Sequence, residues 1–268
     1  MRCEYPITLN REKNHILPAR NDFVPCGKCI PCIERIRASW SFRIAVEEKL
    51  SESSTFLTLT YSDDYLPKDN QVSKAEVQKY IKRLRHKAPK LKYYFVGEYG
   101  ENYQRPHYHA IIFNVSKDDL IDEWKEKDES KGIVTTDIVS PASIHYVTGY
   151  INKKYGKLDE KTGKQIPELE RLRSFALMSK GLGKKYIKYA AKFHKSNLTL
   201  QSNLNGNQTT IPRYYRDSIF DDDELHYIKQ QSQSEIDKYN EAFDFEKEIE
   251  QKKHRIHKQK QSNKNKKL

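Results

Sequence analysis

Long apolar runs are absent from this sequence. No stretch of 18 consecutive apolar residues occurs, so no membrane-spanning helix is expected. The opening residues "MRCEYPITLN" lack the apolar core of a secretory signal, and a chain that stays in the cytoplasm is the expectation. Cysteine is scarce: there are four, and in a reducing compartment they are not expected to pair as disulfides. Tryptophan is scarcer still, with two residues against 18 tyrosines. Phenols must therefore carry much of the aromatic packing and of any aromatic chemistry. The pattern G-x4-G-K-S/T does not occur, which excludes a P-loop motor. No internal repeat is visible.

What is present is charge, with a net +12 that is unevenly spread. Residues 221–250 are acidic, while residues 251–268 hold no acid at all. The body before them is basic, which suits a polyanionic partner. Apolar residues are only 36% against 32% charged, so part of the chain is expected outside a packed core. Three regions follow: a cysteine- and proline-bearing segment 1–32, a main domain 33–220, and a charged helix fading into a disordered basic tail over 221–268.

Periodicity places the elements of the main domain. Ile36, Trp40, Ile44 and Glu47 form one stripe and predict a helix over 33–50. "TFLTLTYS" (55–62), "LKYYFVGEYG" (91–100) and "HYHAIIFNV" (107–115) alternate and predict strands, the last two as an antiparallel hairpin. Ser73 and Glu76 make a capping-box pair that opens a helix over 73–87. Further helices are predicted over 116–128, over 140–156 with Ser140 as N-cap and Pro141 in the first turn, and over 181–195. "GIVTTDIV" (132–139) predicts a strand, and Asn205-Gly206 predicts a hairpin turn within 197–215. Residues 157–172 read as a polar loop. The expected fold is α+β: a central antiparallel sheet with helices packed on one face, an N-terminal Cys-rich loop and a charged C-terminal helix and tail.

Within that frame "RPHYHAIIF" (105–113) carries chemistry. Strand side chains alternate, so His107 and His109 share one face with Ile111, and Tyr108, Ala110 and Ile112 share the other. Two imidazoles so placed can lean onto one cation. Glu98, which ends the preceding strand, is the leading third ligand, with Glu101 and His145 as alternatives. Two histidines and a carboxylate leave coordination positions open, as a catalytic metal requires. In the helix that follows, Tyr146 and Tyr150 are four apart and share a face, with Lys153 and Lys154 just beyond them. A lysine beside a phenol favours the phenolate and can hold a phosphate. Gly149 costs this helix roughly 1 kcal/mol against alanine and clears space beside Tyr150.

In order, "FLTLTY" (56–61), "HYHAIIF" (107–113) and "YVTGYINKK" (146–154) resemble the three motifs of HUH rolling-circle replication endonucleases. The agreement is closer still with the replication initiation proteins of gokushovirus-type microviruses, small single-stranded DNA phages. Blocks like "PCGKCIPC" (25–32), "GEYG" (97–100), "RPHYHA" (105–110) and "PRYY" (212–215) also belong to that resemblance, which spans roughly residues 1–215. It implies an HUH/RRM-like palm sheet and an endonuclease that nicks single-stranded DNA at a replication origin. It implies a divalent ion on His107, His109 and an acid, and a 5′-phosphotyrosine intermediate. Tyr150 best matches the main tyrosine of the motif, and Tyr146 its partner. "FLTLTY" supplies no ligand and is expected to support the metal face. Imidazole and carboxylate together favour Mn²⁺ or Mg²⁺. A host helicase and replication machinery must supply the unwinding.

Cys26, Cys29 and Cys32 stand at C-x2-C-x2-C spacing, and with Cys3 they can close a tetrahedral structural zinc site; iron–sulfur proteins use the same local spacing. Such a site would pin the N-terminal loop onto the following helix. Basic runs with interleaved tyrosines, "KKYIKYAAKFHK" (184–195) and "KYIKRLRHK" (79–87), are candidates for single-stranded DNA contacts. They contribute Lys184, Lys185, Lys188 and Arg83 beside Lys154. Two rivals remain open. One is a non-catalytic zinc-containing nucleic-acid-binding module, which would not need Tyr150 or the histidine pair. The other is an HUH transposase or relaxase, for which no N-terminal zinc loop is expected.

Overall fold

Alternation within 92–113 builds the centre of the molecule. The computed structural model describes residues 3–8, 23–100, 103–154, 157–158, 165–166, 174–241, 250, 253–254 and 257. Strands β1 (Ile7–Thr8) and β2 (Phe23–Val24) form a short ladder and precede helix α1 (Ile30–Lys49). Then come β3 (Ser54–Leu59), α2 (Lys74–Lys87), β4 (Lys92–Tyr99), β5 (Pro106–Phe113), α3 (Lys117–Asp122), β6 (Lys125–Glu126), β7 (Glu129–Ser130) and β8 (Val134–Asp137). Helix α4 (Pro141–Lys154), β9 (Lys157–Leu158), β10 (Gln165–Ile166), β11 (Phe175–Met178) and α5 (Lys185–Asn197) follow. The described elements end with the hairpin β12 (Gln201–Leu204) and β13 (Asn207–Thr210), then α6 (Arg213–Ile219) and α7 (Asp222–Glu241). The main sheet has five strands in the order β11-β4-β5-β3-β8, with every neighbouring pair antiparallel. Among the described residues, no helix is long and apolar enough to cross a membrane.

Helices cover both faces of this sheet, not the single face expected. On one side Val77, Tyr80, Ile81 and Leu84 of α2, with Leu120 and Trp124, pack on Leu57, Leu59, Phe95, Tyr108, Ala110 and Ile112. On the other, Ile44 and Ala45 of α1 and Ile144, Val147 and Tyr150 of α4 pack on Tyr94, Val96, Ile111 and Phe113. The physical reason stands in β5 itself. From Tyr108 to Phe113 every residue is buried, and a strand apolar on both alternations must be covered twice. A third cluster joins Phe42 and Val46 of α1 to Ile211, Tyr215, Ile219, Phe220 and Ile228, so the C-terminal elements dock on the outer side of α1.

The caps hold as read. Ser73 Oγ accepts the Glu76 N–H at 3.3 Å. The reciprocal arm is replaced: the Ser73 N–H donates to the Tyr108 hydroxyl at 2.9 Å, and the Glu76 carboxylate pairs with Lys131. Ser140 Oγ accepts the Ser143 N–H at 3.1 Å and caps α4. Two expectations fail: the stretch 157–172, read as a polar loop, holds the short antiparallel ladder β9–β10, and one helix is cut short. The helix expected over 116–128 stops at Asp122, because Trp124 turns into the core and its indole donates to the Thr60 carbonyl at 2.8 Å. Residues 125–130 then form the β6–β7 hairpin through Lys127 at φ 54°. Strand β11, which sequence periodicity did not reveal, forms an edge of the sheet beside β4.

Candidate active site

The β4–β5 hairpin pairs Glu98 opposite His107 and Val96 opposite His109. Directly opposed residues share a face, so the carboxylate and both imidazoles meet. His107 Nε2 and His109 Nε2 each lie 3.0 Å from Glu98 Oε1. The other ring nitrogens are already committed. His107 Nδ1 lies 3.2 Å from the Arg105 carbonyl, which can only accept, so this nitrogen carries the proton. A ring carrying only that proton would turn its Nε2 lone pair toward a carboxylate oxygen. That contact is repulsive unless a proton or a cation lies between. His109 Nδ1 is held at 2.9 Å by Thr58 Oγ1 from β3, and Phe56 stacks on its ring at 5.7 Å. Glu98 is 2% exposed, so its charge also needs a partner. The three ligand atoms lie within 4.8 Å of one another. A divalent cation would satisfy all three donors at once, and the orienting bonds to Nδ1 are those expected around histidine ligands.

Helix α4 brings the phenols to this cluster. Its position is set from α1: Ser41 Oγ and Thr148 Oγ1 are 2.9 Å apart, and Arg37 Nη2 donates to the His145 carbonyl at 2.8 Å. The space beside Gly149 is not open. A Cβ there would stand 3.1 Å from Arg37 Nη2, so the guanidinium fills it. Tyr146 places its hydroxyl 3.3 Å from His109 Nε2 and 3.5 Å from Glu98 Oε1. Tyr150 stacks on His109 with ring centroids 6.0 Å apart and meets Tyr146 edge-on at 5.1 Å. Tyr146 is 40% exposed, whereas Tyr150 is 7% exposed. Burial, followed by the Glu98 charge, drives the Tyr150 phenol far above its ordinary range. In the absence of a cation Tyr150 therefore keeps its proton.

A second donor cluster sits at the start of α1. Cys29 is the N-cap and Cys32 lies in the first turn, so the helix begins three residues before its expected start. Cys3, Cys26, Cys29 and Cys32 hold their sulfurs within 4.8 Å of one another, with Cys3 and Cys29 Sγ 3.8 Å apart. Zn–S bonds of about 2.3 Å in a tetrahedron set sulfurs about 3.8 Å apart, so the four thiols fit that geometry. Backbone N–H groups of Lys28 and Cys29 point at Cys26 Sγ at 3.4 and 3.3 Å, and Arg35 Nη2 reaches Cys32 Sγ at 3.5 Å. Such donors stabilise thiolates. Burial pushes Cys3 up, but the bonds it accepts, led by the Cys26 N–H, bring it down to about 7. Burial lifts Cys32 to about 12.

The remaining expected residues scatter. His145 is exposed and belongs to neither donor cluster among the described residues, and Glu101 lies outside the described residues. Lys153 and Lys154 occupy the last turn of α4, but their side chains lie outside the described residues. Lys184, Lys185 and Lys188 are exposed at and beyond the start of α5. Arg83 is used inside the fold: it pairs with Glu123 at 3.2 Å and donates to the Glu123 and Lys125 carbonyls. Sequence reading missed Phe56 and Arg37 as site supports and gave Thr58 no specific partner. The alternation of β3 held a signal for Thr58, which the sheet register sets opposite His109.

Comparison with known proteins then adds an independent observation. The family profile of replication-associated proteins of the ORF2 type matches residues 54–155, a span that holds β3, the β4–β5 hairpin and α4. The chain is 34% identical over 229 residues to "Replication-associated protein ORF2" of Spiroplasma virus 4, covering 76% of this chain and 68% of that protein. It is 30% identical over 222 residues to "Replication-associated protein VP4" of Bdellovibrio phage phiMH2K, covering 72% and 66%. A third relative, "Replication-associated protein ORF4" of Chlamydia phage 1, is 27% identical over 229 residues, and the chain spans 53% of its length. No solved structure matches.

Proposed function

This chain belongs to the microvirus-type family of replication-associated proteins, and on that premise we propose that it starts phage DNA replication by nicking and rejoining single-stranded DNA at an origin. The observation that carries the reading is the approach of the Tyr146 hydroxyl to 3.3 Å from His109 Nε2 and 3.5 Å from Glu98 Oε1. A nucleophile and a cation-binding set then face one phosphodiester. His107, His109 and Glu98 would hold Mn²⁺ or Mg²⁺, which when bound supplies positive charge to the scissile phosphate.

The protein groups do the rest. Tyr146 attacks phosphorus and gives its proton to water, since Glu98 Oε1 would face the ion. The P–O3′ bond breaks, and the 3′ oxygen takes a proton from water and leaves as a hydroxyl. A 5′-phosphotyrosine remains. One phosphodiester replaces another, so attack by a 3′-hydroxyl reverses the step and reseals a strand without an energy source. The resemblance put Tyr150 first; exposure puts Tyr146 first, with Tyr150 attacking in the second round. Lys153 and Lys154 follow Tyr150 in the last turn of α4 and are assigned to the phosphate by their place in the sequence, while Lys184, Lys185 and Lys188 bind the strand. The Cys3, Cys26, Cys29 and Cys32 cluster takes structural zinc; an iron–sulfur cluster, which spreads its cysteines over several irons, suits the close sulfurs less well. The setting is the cytoplasm of a bacterial host, whose helicase and replication machinery open and copy the duplex.

The test is a denaturing gel of labelled origin single strand incubated with the protein and Mn²⁺ or Mg²⁺. A covalent adduct is expected, with Tyr146→Phe losing most of the first-round product and the Tyr146→Phe/Tyr150→Phe double variant losing all of it. An adduct that survives in the double variant would end the proposal, and binding without any adduct would favour the non-catalytic module.

A further inference from the structure

Helix α5 carries an outer face of which the reading above uses only the lysines. Its inner face is spent on the fold: Tyr186, Ile187 and Ala191 pack against the cluster built on Phe42 and Tyr215. The outer face nevertheless displays two large rings, Tyr189 at 66% and Phe193 at 55% exposure. They stand four apart on one side of the helix, so one ring lies a turn above the other. Lys185, Lys188 and Lys192 surround them and are exposed. No acid occurs in α5. Among the described residues no carboxylate pairs with Lys188 or Lys192, whereas Lys195, farther along, is taken by Glu224 at 3.3 Å.

Exposed rings cost solubility, and the edge-on contact of Phe193 with His194 at 5.3 Å still leaves the Tyr189 and Phe193 rings largely bare; the lysines around them select a polyanion. We propose that Tyr189 and Phe193 form a stacking platform for two bases of single-stranded DNA, with the backbone held by Lys185, Lys188 and Lys192. A duplex hides its base faces, so bare rings point to an unpaired strand; a protein partner with an acidic surface would leave the ring spacing unexplained.

The platform is separate from the tyrosine site. Lys92, opposite Phe113 in the sheet, reaches the Gly181 carbonyl, and Lys185 reaches the Leu50 carbonyl. Helix α5 therefore begins near the Phe113 end of β5, while His107 stands near the other end. Six residues of strand separate those ends by about 20 Å. The platform would hold the strand to one side of the cut and keep it from drifting away while the phenol is bonded.

The inference rests on the proposed function only in taking single-stranded DNA as the partner. It is tested by fluorescence anisotropy with a labelled oligothymidine of about 20 nucleotides and a duplex of equal length, without added divalent ion, so that no cutting is needed. The Tyr189→Ala/Phe193→Ala variant of the full chain is expected to bind the single strand about tenfold or more weakly and the duplex unchanged. Tyr189→Trp/Phe193→Trp is expected to keep wild-type affinity. Unchanged single-strand affinity in the alanine variant would overturn the platform, as would an equal loss on duplex. Loss of single-strand affinity without any adduct in the gel assay would leave the platform standing and remove the nicking reading instead.

Discussion

The two donor clusters of this molecule are opposites. One combines two imidazoles and a carboxylate on adjacent strands, beside an exposed phenol. The other collects four sulfurs around a helix start, with Cys29 and Cys32 buried. Mixed nitrogen and oxygen donors leave room in a cation's shell for a phosphate oxygen, while four sulfurs close a tetrahedron and leave none. On the proposed reading the first exchanges ligands and the second holds still. Helix α1 joins them: it starts in the sulfur cluster and, through Arg37 and Ser41, fixes the helix that carries the phenols.

Substitution should separate the two in kind as well as degree. His107→Ala is expected to reduce adduct formation by about a thousandfold or more while leaving the melting temperature nearly unchanged, checked by gel kinetics beside a thermal melt. Cys26→Ser should do the reverse. It is expected to remove about one zinc per chain by elemental analysis and to lower the melting temperature on the order of 10 °C. If Cys26→Ser left stability and metal content intact, the contrast between the clusters would collapse. Thr58→Val keeps the shape of β3 but deletes the bond to His109 Nδ1. Affinity for the catalytic ion, read by Mn²⁺ titration of adduct formation, is expected to fall about 10- to 100-fold. The smallest effect tests the link between the clusters. Gly149→Ala gains helix propensity but presses on the mobile end of Arg37. Its stability by denaturant titration is expected to stay within about 1 kcal/mol of wild type, with a modest slowing of adduct formation.

The hairpin that holds the site was legible because two strict signals agreed. Period-two alternation put His107 and His109 on one side, and the length of the connection put Glu98 opposite. The caps at Ser73 and Ser140 were legible for the same reason, since they depend on residues three apart. What escaped depends on distant parts of the chain. Strand β11 is four residues long and pairs with β4 some eighty positions earlier, beyond the reach of any local pattern. The helix expected over 116–128 ends at Asp122: Leu120 and Trp124 are four apart, a spacing that suits a helix, but the indole is drawn to the Thr60 carbonyl. Arg37 filling the gap at Gly149 needed the crossing of α1 and α4, which no spacing in either helix reveals. The double covering of the sheet was written in the unbroken apolar run of β5 and was misjudged.

Strand β5 also sets how this protein can change. Its odd positions carry the two imidazoles and then Ile111 and Phe113 against α1 and α4, its even positions pack on the α2 side, and no residue is spare between them. Inserting or deleting one residue before Tyr108 would turn His107 into the hydrocarbon on the α2 side and break its pairing with Glu98, all in one step. A chain that keeps this pairing can change the strand by replacement, with changes of length confined to the loops at its ends.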